Sequence, residues 1–350
     1  MTPPLLRALV VTLAMSLLAL CNCANGVDTL PTAAGGLTPP PSTVPSGPYT
    51  PGQSYLGRNG YVEYVAGNAP VILTAPHGGA LTPSEIPTRT ASRCGGAAET
   101  VTDLHTAELV RAMQQRYFAR FGKYPHVVIV HLARAKLDAN RPRLEATCGN
   151  VDAETAFSEW HDFIDAAKRA VVQQSGKGWY MDMHGHGHSV QRLELGYLLT
   201  GAQLDLSDAA LDAARAYQDT ASMRTISEAD PISFSALLRG GSSLGTFYAN
   251  GGFPAVPSSA DPRPNGSSYF SGGEDTRRHA CGVEAGMSTG VAGGQICGVQ
   301  IETNFTGVRD NTSNRDRFGD VTALVLEQYL FVHWGLQLGL TAPLPLKTTP

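Results

Sequence analysis

Gly178-Trp179-Tyr180-Met181-Asp182-Met183, followed at once by His184-Gly185-His186-Gly187-His188, is a short, mostly apolar run that opens into a polar, glycine-spaced tract. A run of this length, rich in aromatic residues and bounded by glycine, reads as a buried strand. Three other apolar runs have the same form. Residues 71–75 lead into Pro76-His77-Gly78-Gly79, residues 126–132 into the charged stretch from Arg134 to Arg143, and residues 298–303 end in Glu302-Thr303-Asn304. Residues 61–65 and 193–199 are further strand candidates. Between these runs lie amphipathic segments with helical spacing: 102–121, closed by Gly122; 154–174, closed by Gly176; and 320–336. Ser207 can cap a further helix through about residue 217. Short apolar runs alternating with long amphipathic ones predict an α/β domain on a largely parallel sheet. Ligands in such sheets bind beyond the carboxyl ends of the strands, where all four polar segments fall. Residues 220–295, rich in Gly, Ser and Pro, read as loops over one edge.

The rest of the chain frames this domain. Its 350 residues carry 26 basic and 30 acidic side chains, a net charge of −4, which argues against a nucleic-acid or anionic-membrane surface. Residues 1–24 read as a secretory signal: Arg7, an apolar stretch too short to span a bilayer, then small residues. Lipidation at Cys21 is disfavoured by Leu20, where a small residue is required. Residues 25–54, dominated by Pro, Thr, Ser and Gly, read as a tether, which leaves a folded domain over 55–340. Removal of the signal leaves Cys94, Cys148, Cys281 and Cys297, and in an exported chain these read as disulfides. Sequence proximity favours Cys94 with Cys148 and Cys281 with Cys297.

The strand-end polar residues suggest a metal. A zinc site that works on a carbonyl uses about three protein ligands, often two His and a carboxylate. His77 and His184 each end a strand and precede glycine, a residue that lets the backbone turn away and leaves the ring facing the crevice. Asp182 shares a strand face with His184 and can accept the second ring N–H of a ligand His or ligate directly. Asp103, at the start of the first long helix, is the chosen third ligand; Glu85 and Glu99 are the other carboxylates nearby. His186 and His188 read as loop or crevice-rim residues.

In this order, Ala75-Pro76-His77-Gly78-Gly79 with Ile86-Pro87, Thr102-Asp103-Leu104-His105, Asp138-Ala139-Asn140-Arg141-Pro142, Asp182-Met183-His184, Gly272-Gly273 with Thr276-Arg277, and Gln300-Ile301-Glu302 resemble the N-formylglutamate amidohydrolase family, related to the zinc carboxypeptidases. The resemblance implies a three-layer α/β/α single domain with a mostly parallel, mixed central sheet of the phosphorylase/hydrolase-like kind. It implies a zinc-dependent hydrolase, one Zn2+ per chain, that cleaves an amide in a small-molecule or peptide substrate bearing a carboxylate. By that mapping His77, Asp103 and His184 look like the metal set. Glu302 looks like the carboxylate that activates the attacking water. Asn140 and Arg141 look like the pair that holds the substrate carboxylate, and Arg277 is a second candidate clamp. The Glu that carboxypeptidases place three residues after the first His is Ala80 here, so the third ligand rests on Asp103. A carboxypeptidase or cell-wall amidase fits the same residues, and an inactive metal- or ligand-binding surface protein needs neither Glu302 nor an open metal position.

Overall fold

The computed structural model describes residues 44–282 and 294–339. The signal at 1–24, Cys21 and the tether up to residue 43 lie outside the described residues. Eight strands form one sheet: β1 Ser54–Leu56, β2 Val62–Val65, β3 Val71–Ala75, β4 His126–Val130, β5 Gly178–Gly185, β6 Leu193–Gly196, β7 Ala255–Val256 and β8 Ile296–Thr303, in the spatial order β1-β2-β4-β3-β5-β8-β6-β7. The central strands β4, β3, β5 and β8 run parallel, while β2 and β6 flank them antiparallel. The fold class is therefore as expected, a mixed sheet between helical layers.

Period-two alternation sorts each central strand between two cores. Trp179, Met181 and Met183 of β5, with Val299 and Ile301 of β8 and Leu193 and Leu195 of β6, face one apolar cluster. Helices α1 (Thr106–Phe121) and, at the far end of the chain, Thr312–Trp334 close that side, Leu109, Met113, Leu326 and Leu330 all being buried in it. The opposite core holds Ile72, Val128, Val130 and Tyr180, covered by helix α2 (Val151–Ser175) through Trp160, Phe163 and Ile164.

Helix α1 starts at Thr106, four residues later than its periodicity suggests. His105 sits in the left-handed region at φ 66°, so residues 103–105 turn before the helix begins. Helix α2 starts earlier than expected because the Asn150 side chain accepts from the N–H groups of Asp152 and Ala153. The last long helix extends eight residues upstream of the expected start, capped by Asn311, because its polar first turns carry no apolar stripe to read. The expectation of loops over residues 220–295 is corrected. Among the described residues this stretch contains short helices at Arg224–Ala229, Phe234–Arg239 and Leu244–Asn250, the strand β7, and a helix labelled α3 at Glu274–His279. Ser233 and Ser243 cap two of them, and each helix is too short for its periodicity to register. Val44 and Tyr49, assigned to the tether by composition, pack against the α2-side core, with Tyr49 edge-on to Tyr55 and Tyr64. The two disulfides are Cys94–Cys148 and Cys281–Cys297, the pairing expected from proximity. No helix among the described residues is long and apolar enough to cross a membrane.

Candidate metal centre

The carboxyl ends of β3, β5 and β8 meet in a cavity of about 420 Å³ whose lining includes His77, Asp103, Arg141, His184 and Glu302. His77 reaches it from a loop that only glycine permits. A Cβ on Gly78 would stand 2.5 Å from the backbone nitrogen of Ala107, and one on Gly79 would run into the His131 carbonyl. Neither glycine has positive φ, so close backbone approach, rather than the turn anticipated from sequence, fixes these residues. The Asp103 N–H donates to the His77 carbonyl at 3.0 Å and the Gly185 N–H to Asp103 Oδ2 at 3.2 Å, so the three segments are tied through backbone before any cation is considered.

Asp103 Oδ2 lies 3.4 Å from His77 Nδ1 and 3.2 Å from His184 Nδ1. On its far side each ring has its own buried carboxylate: His77 Nε2 is 2.6 Å from Asp138 Oδ1, and His184 Nε2 is 2.9 Å from Asp182 Oδ2. The three candidate ligand atoms converge within 4.8 Å of one another. Two imidazoles oriented by carboxylates and sharing one further carboxylate are the usual arrangement around a bound transition metal. Electrostatics fit the same group. Burial alone would lower the pKa of His184, but the Asp182 charge and the hydrogen bonds to Asp103 and Asp182 outweigh it and hold the ring well above the usual histidine value. Burial would raise Asp103, yet its contacts with His184 and His77 hold it well below the usual carboxylate range. The site thus stabilises positive charge between the two rings, and a divalent cation can supply that charge in place of a proton.

Glu302 stands beside His184 in the parallel β5–β8 register and accepts from Gln300 Nε2 at 2.9 Å. Burial pushes its carboxyl up to about 7; the His184 ring opposes the shift and the Asp103 charge adds to it. Arg141 lines the cavity and donates through Nη1 to the Asn140 carbonyl.

Of the two other expected substrate contacts, Asn140 lines the cavity and Arg277 does not. The Asn140 amide is buried and committed to the protein: Nδ2 lies 3.2 Å from both His184 Nε2 and Gln300 Oε1, and Oδ1 accepts the Asp275 N–H at 2.8 Å. Through these bonds Asn140 links His184 and Gln300 to the segment of Asp275. Arg277 is on α3, 3.5 Å from Glu274, and does not line the cavity. Glu85 hydrogen-bonds Tyr61, and the Glu99 carboxylate accepts from the N–H groups of Thr100 and Val101; neither joins the ligand group.

Sequence reading missed three residues. Asp138 orients His77; Arg134 links Asp138 at 2.9 Å to Asp103 at 3.6 Å; and buried Arg309, packed against Gly185, bonds the carbonyls of Leu104 and Thr303 and so joins the segments that carry Asp103 and Glu302. Asp138 and Arg134 lie in the polar segment already singled out after β4. No periodicity marks Arg309. His186 and His188 line the cavity as anticipated, but both are built in: His186 spends its nitrogens on the Arg192 carbonyl and the His188 N–H, and His188 Nδ1 bonds buried Glu194 at 2.8 Å.

The chain is similar in structure to an N-formylglutamate amidohydrolase. That protein, from Ralstonia eutropha JMP134, aligns at 13% identity over 79% of this chain and 99% of its own, with a TM-score of 0.42. A gene product of Agrobacterium tumefaciens aligns at 14% identity over 77% and 93%, with a TM-score of 0.40. No protein-family model and no curated protein matches the chain. At these TM-scores the functional reading rests on the side-chain geometry alone. A larger cavity of about 640 Å³, bordered by Tyr49, Tyr64, Asp162 and Arg169, gathers no comparable donor set among the described residues.

Proposed function

We propose that the protein is an exported, metal-dependent amidohydrolase, with zinc as the cation and a small carboxylate-bearing amide as substrate, such as an N-acyl amino acid of the N-formylglutamate kind. The observation that carries this reading is the convergence of His77 Nδ1, His184 Nδ1 and Asp103 Oδ2, each ring backed by its own carboxylate, in the cavity that also holds Glu302. A divalent cation held by His77, Asp103 and His184 would supply Lewis acidity and lower the pKa of water. Glu302, poised near neutrality, takes the proton from the attacking water and passes it to the leaving nitrogen, acting as general base and then general acid. Arg141 clamps the substrate carboxylate, with a guanidinium geometry suited to two parallel hydrogen bonds, and so sets the scissile carbonyl over the site. The two disulfides suit an oxidising compartment and support export.

The test is a screen of N-acyl amino acids and short γ-glutamyl or wall peptides with and without a chelator, on protein reconstituted with zinc. Chelator-sensitive hydrolysis of a carboxylate-bearing amide is expected, along with zinc binding that His77→Ala or His184→Ala abolishes. Full zinc binding by either variant would remove the site.

A further inference from the structure

Below the candidate centre, on the α2 side of the sheet, a second group of potential ligands has no part in the chemistry above. His161 comes from α2, and Asp275 and His279 lie one helical turn apart on α3. All three are buried, and one ligand atom from each lies within 4.8 Å of the others. His161 Nδ1 is 2.8 Å from His279 Nε2 and 4.0 Å from Asp275 Oδ1. A hydrogen bond between two neutral rings accounts for the first distance, and Trp160 Nε1 donates to Asp275 Oδ1 at 3.1 Å. Asp275 Oδ2, His161 Nε2 and His279 Nδ1 have no hydrogen-bond partner among the described residues, a costly condition for groups removed from water. His279 Nδ1 is 3.6 Å from Asp165 Oδ1, the carboxylate behind a histidine that accompanies metal ligation. The His186, His188 and Glu194 group shows the contrast: it has similar composition, but backbone bonds already take both His186 nitrogens.

We propose that His161, Asp275 and His279 form a second, buried site for a borderline divalent cation such as Zn2+, bound through two imidazole nitrogens and one carboxylate oxygen. This donor set suits zinc and its transition-metal neighbours rather than Mg2+ or Ca2+, which take oxygen ligands. The site is structural. Closed over by α2 and α3, it ties the two helices together, and the Asp275 N–H then holds Asn140, whose amide meets His184 and Gln300. A cation there fixes one wall of the first site from behind.

The experiment reads metal content, independently of any substrate. The full-length chain, stripped with a chelator and dialysed against zinc, is expected to hold two zinc ions per molecule. His161→Ala and His279→Ala should each lower the count to one, while His77→Ala should remove the other ion and leave this one. If the proposed catalytic site fails but this one holds, the wild type carries a single zinc that survives His77→Ala and is lost in His161→Ala. A count unchanged by His161→Ala and His279→Ala overturns the proposal. Should those variants not fold, anomalous scattering at the zinc edge from wild-type crystals decides: a peak between His161 and His279 supports the site, and no peak there overturns it.

Discussion

The two faces of the central sheet are made by the same strands and do opposite work. On β5, Trp179, Met181 and Met183 enter one apolar core, while on the other face Tyr180 joins the α2-side core and Asp182 and His184 carry that face on into the metal-ligand group. On β8, Val299 and Ile301 alternate with Gln300 and Glu302 in the same way. The polar side chains gather at the carboxyl ends of the parallel strands, and the apolar face runs uninterrupted behind them. One side holds the backbone still so that the other can keep buried charges at hydrogen-bonding distance, where small displacements cost much of the catalytic effect. If so, substitutions one residue apart should give unlike signatures.

The largest expected effect is on the polar face. Glu302→Gln keeps the shape and the Gln300 contact but removes the proton acceptor. Turnover on a chelator-sensitive substrate should drop about 10²- to 10⁴-fold with zinc content unchanged. Initial rates and metal analysis on the same preparation check this, and wild-type kinetics would remove Glu302 from the mechanism. Next comes the neighbouring pair on β5. Met181→Ala, with its side chain fully buried, should cost about 3 kcal/mol of unfolding free energy and leave zinc affinity intact. Asp182→Asn should do the reverse, weakening zinc binding about 10- to 100-fold through the loss of the carboxylate behind His184. Urea unfolding and competitive zinc titration of both variants measure the two quantities; matching profiles would mean that the faces are not separate in function.

The alternation behind this comparison was legible in the sequence. The apolar runs at 71–75, 178–183 and 298–303 placed the strands, and the polar residues at their ends placed His77, His184 and Glu302. Pairing of the cysteines followed from proximity. What escaped was set by contacts distant in sequence. The Asn140 oxygen accepts from Asp275, 135 positions away, a partner that no local pattern announces. Arg309 carries no pattern at all, because its role depends on Gly185 and Leu104 arriving beneath it. The short helices between residues 224 and 250 were hidden for a different reason: one or two turns cannot display a helical period, and the serines that cap two of them also read as loop residues.

The smallest effect tests the other end of the polar face. His126 opens β4 and is packed with Tyr64 in the α2-side core, where its Nδ1 accepts from the Tyr64 hydroxyl at 2.8 Å and the Gly67 N–H at 3.1 Å. Among the described residues no carboxylate bonds it as Asp182 bonds His184, and burial lowers its pKa from 6.5 to about 3. The ring is therefore neutral in the fold. As pH falls below 6.5 the unfolded chain takes up a proton that the folded chain refuses, so this contribution is complete above that value and drains away toward pH 3. By pH 5.5 the loss is about 1.4 kcal/mol. His126→Asn retains an acceptor for both donors but has nothing to protonate. Its urea midpoint should decline less than that of the wild type between pH 7 and pH 5.5, and an equal decline would mean that His126 does not set the difference. Such a result would also remove the contrast with His184, since two histidines buried in one layer would then differ in charge for reasons other than the carboxylates placed behind them.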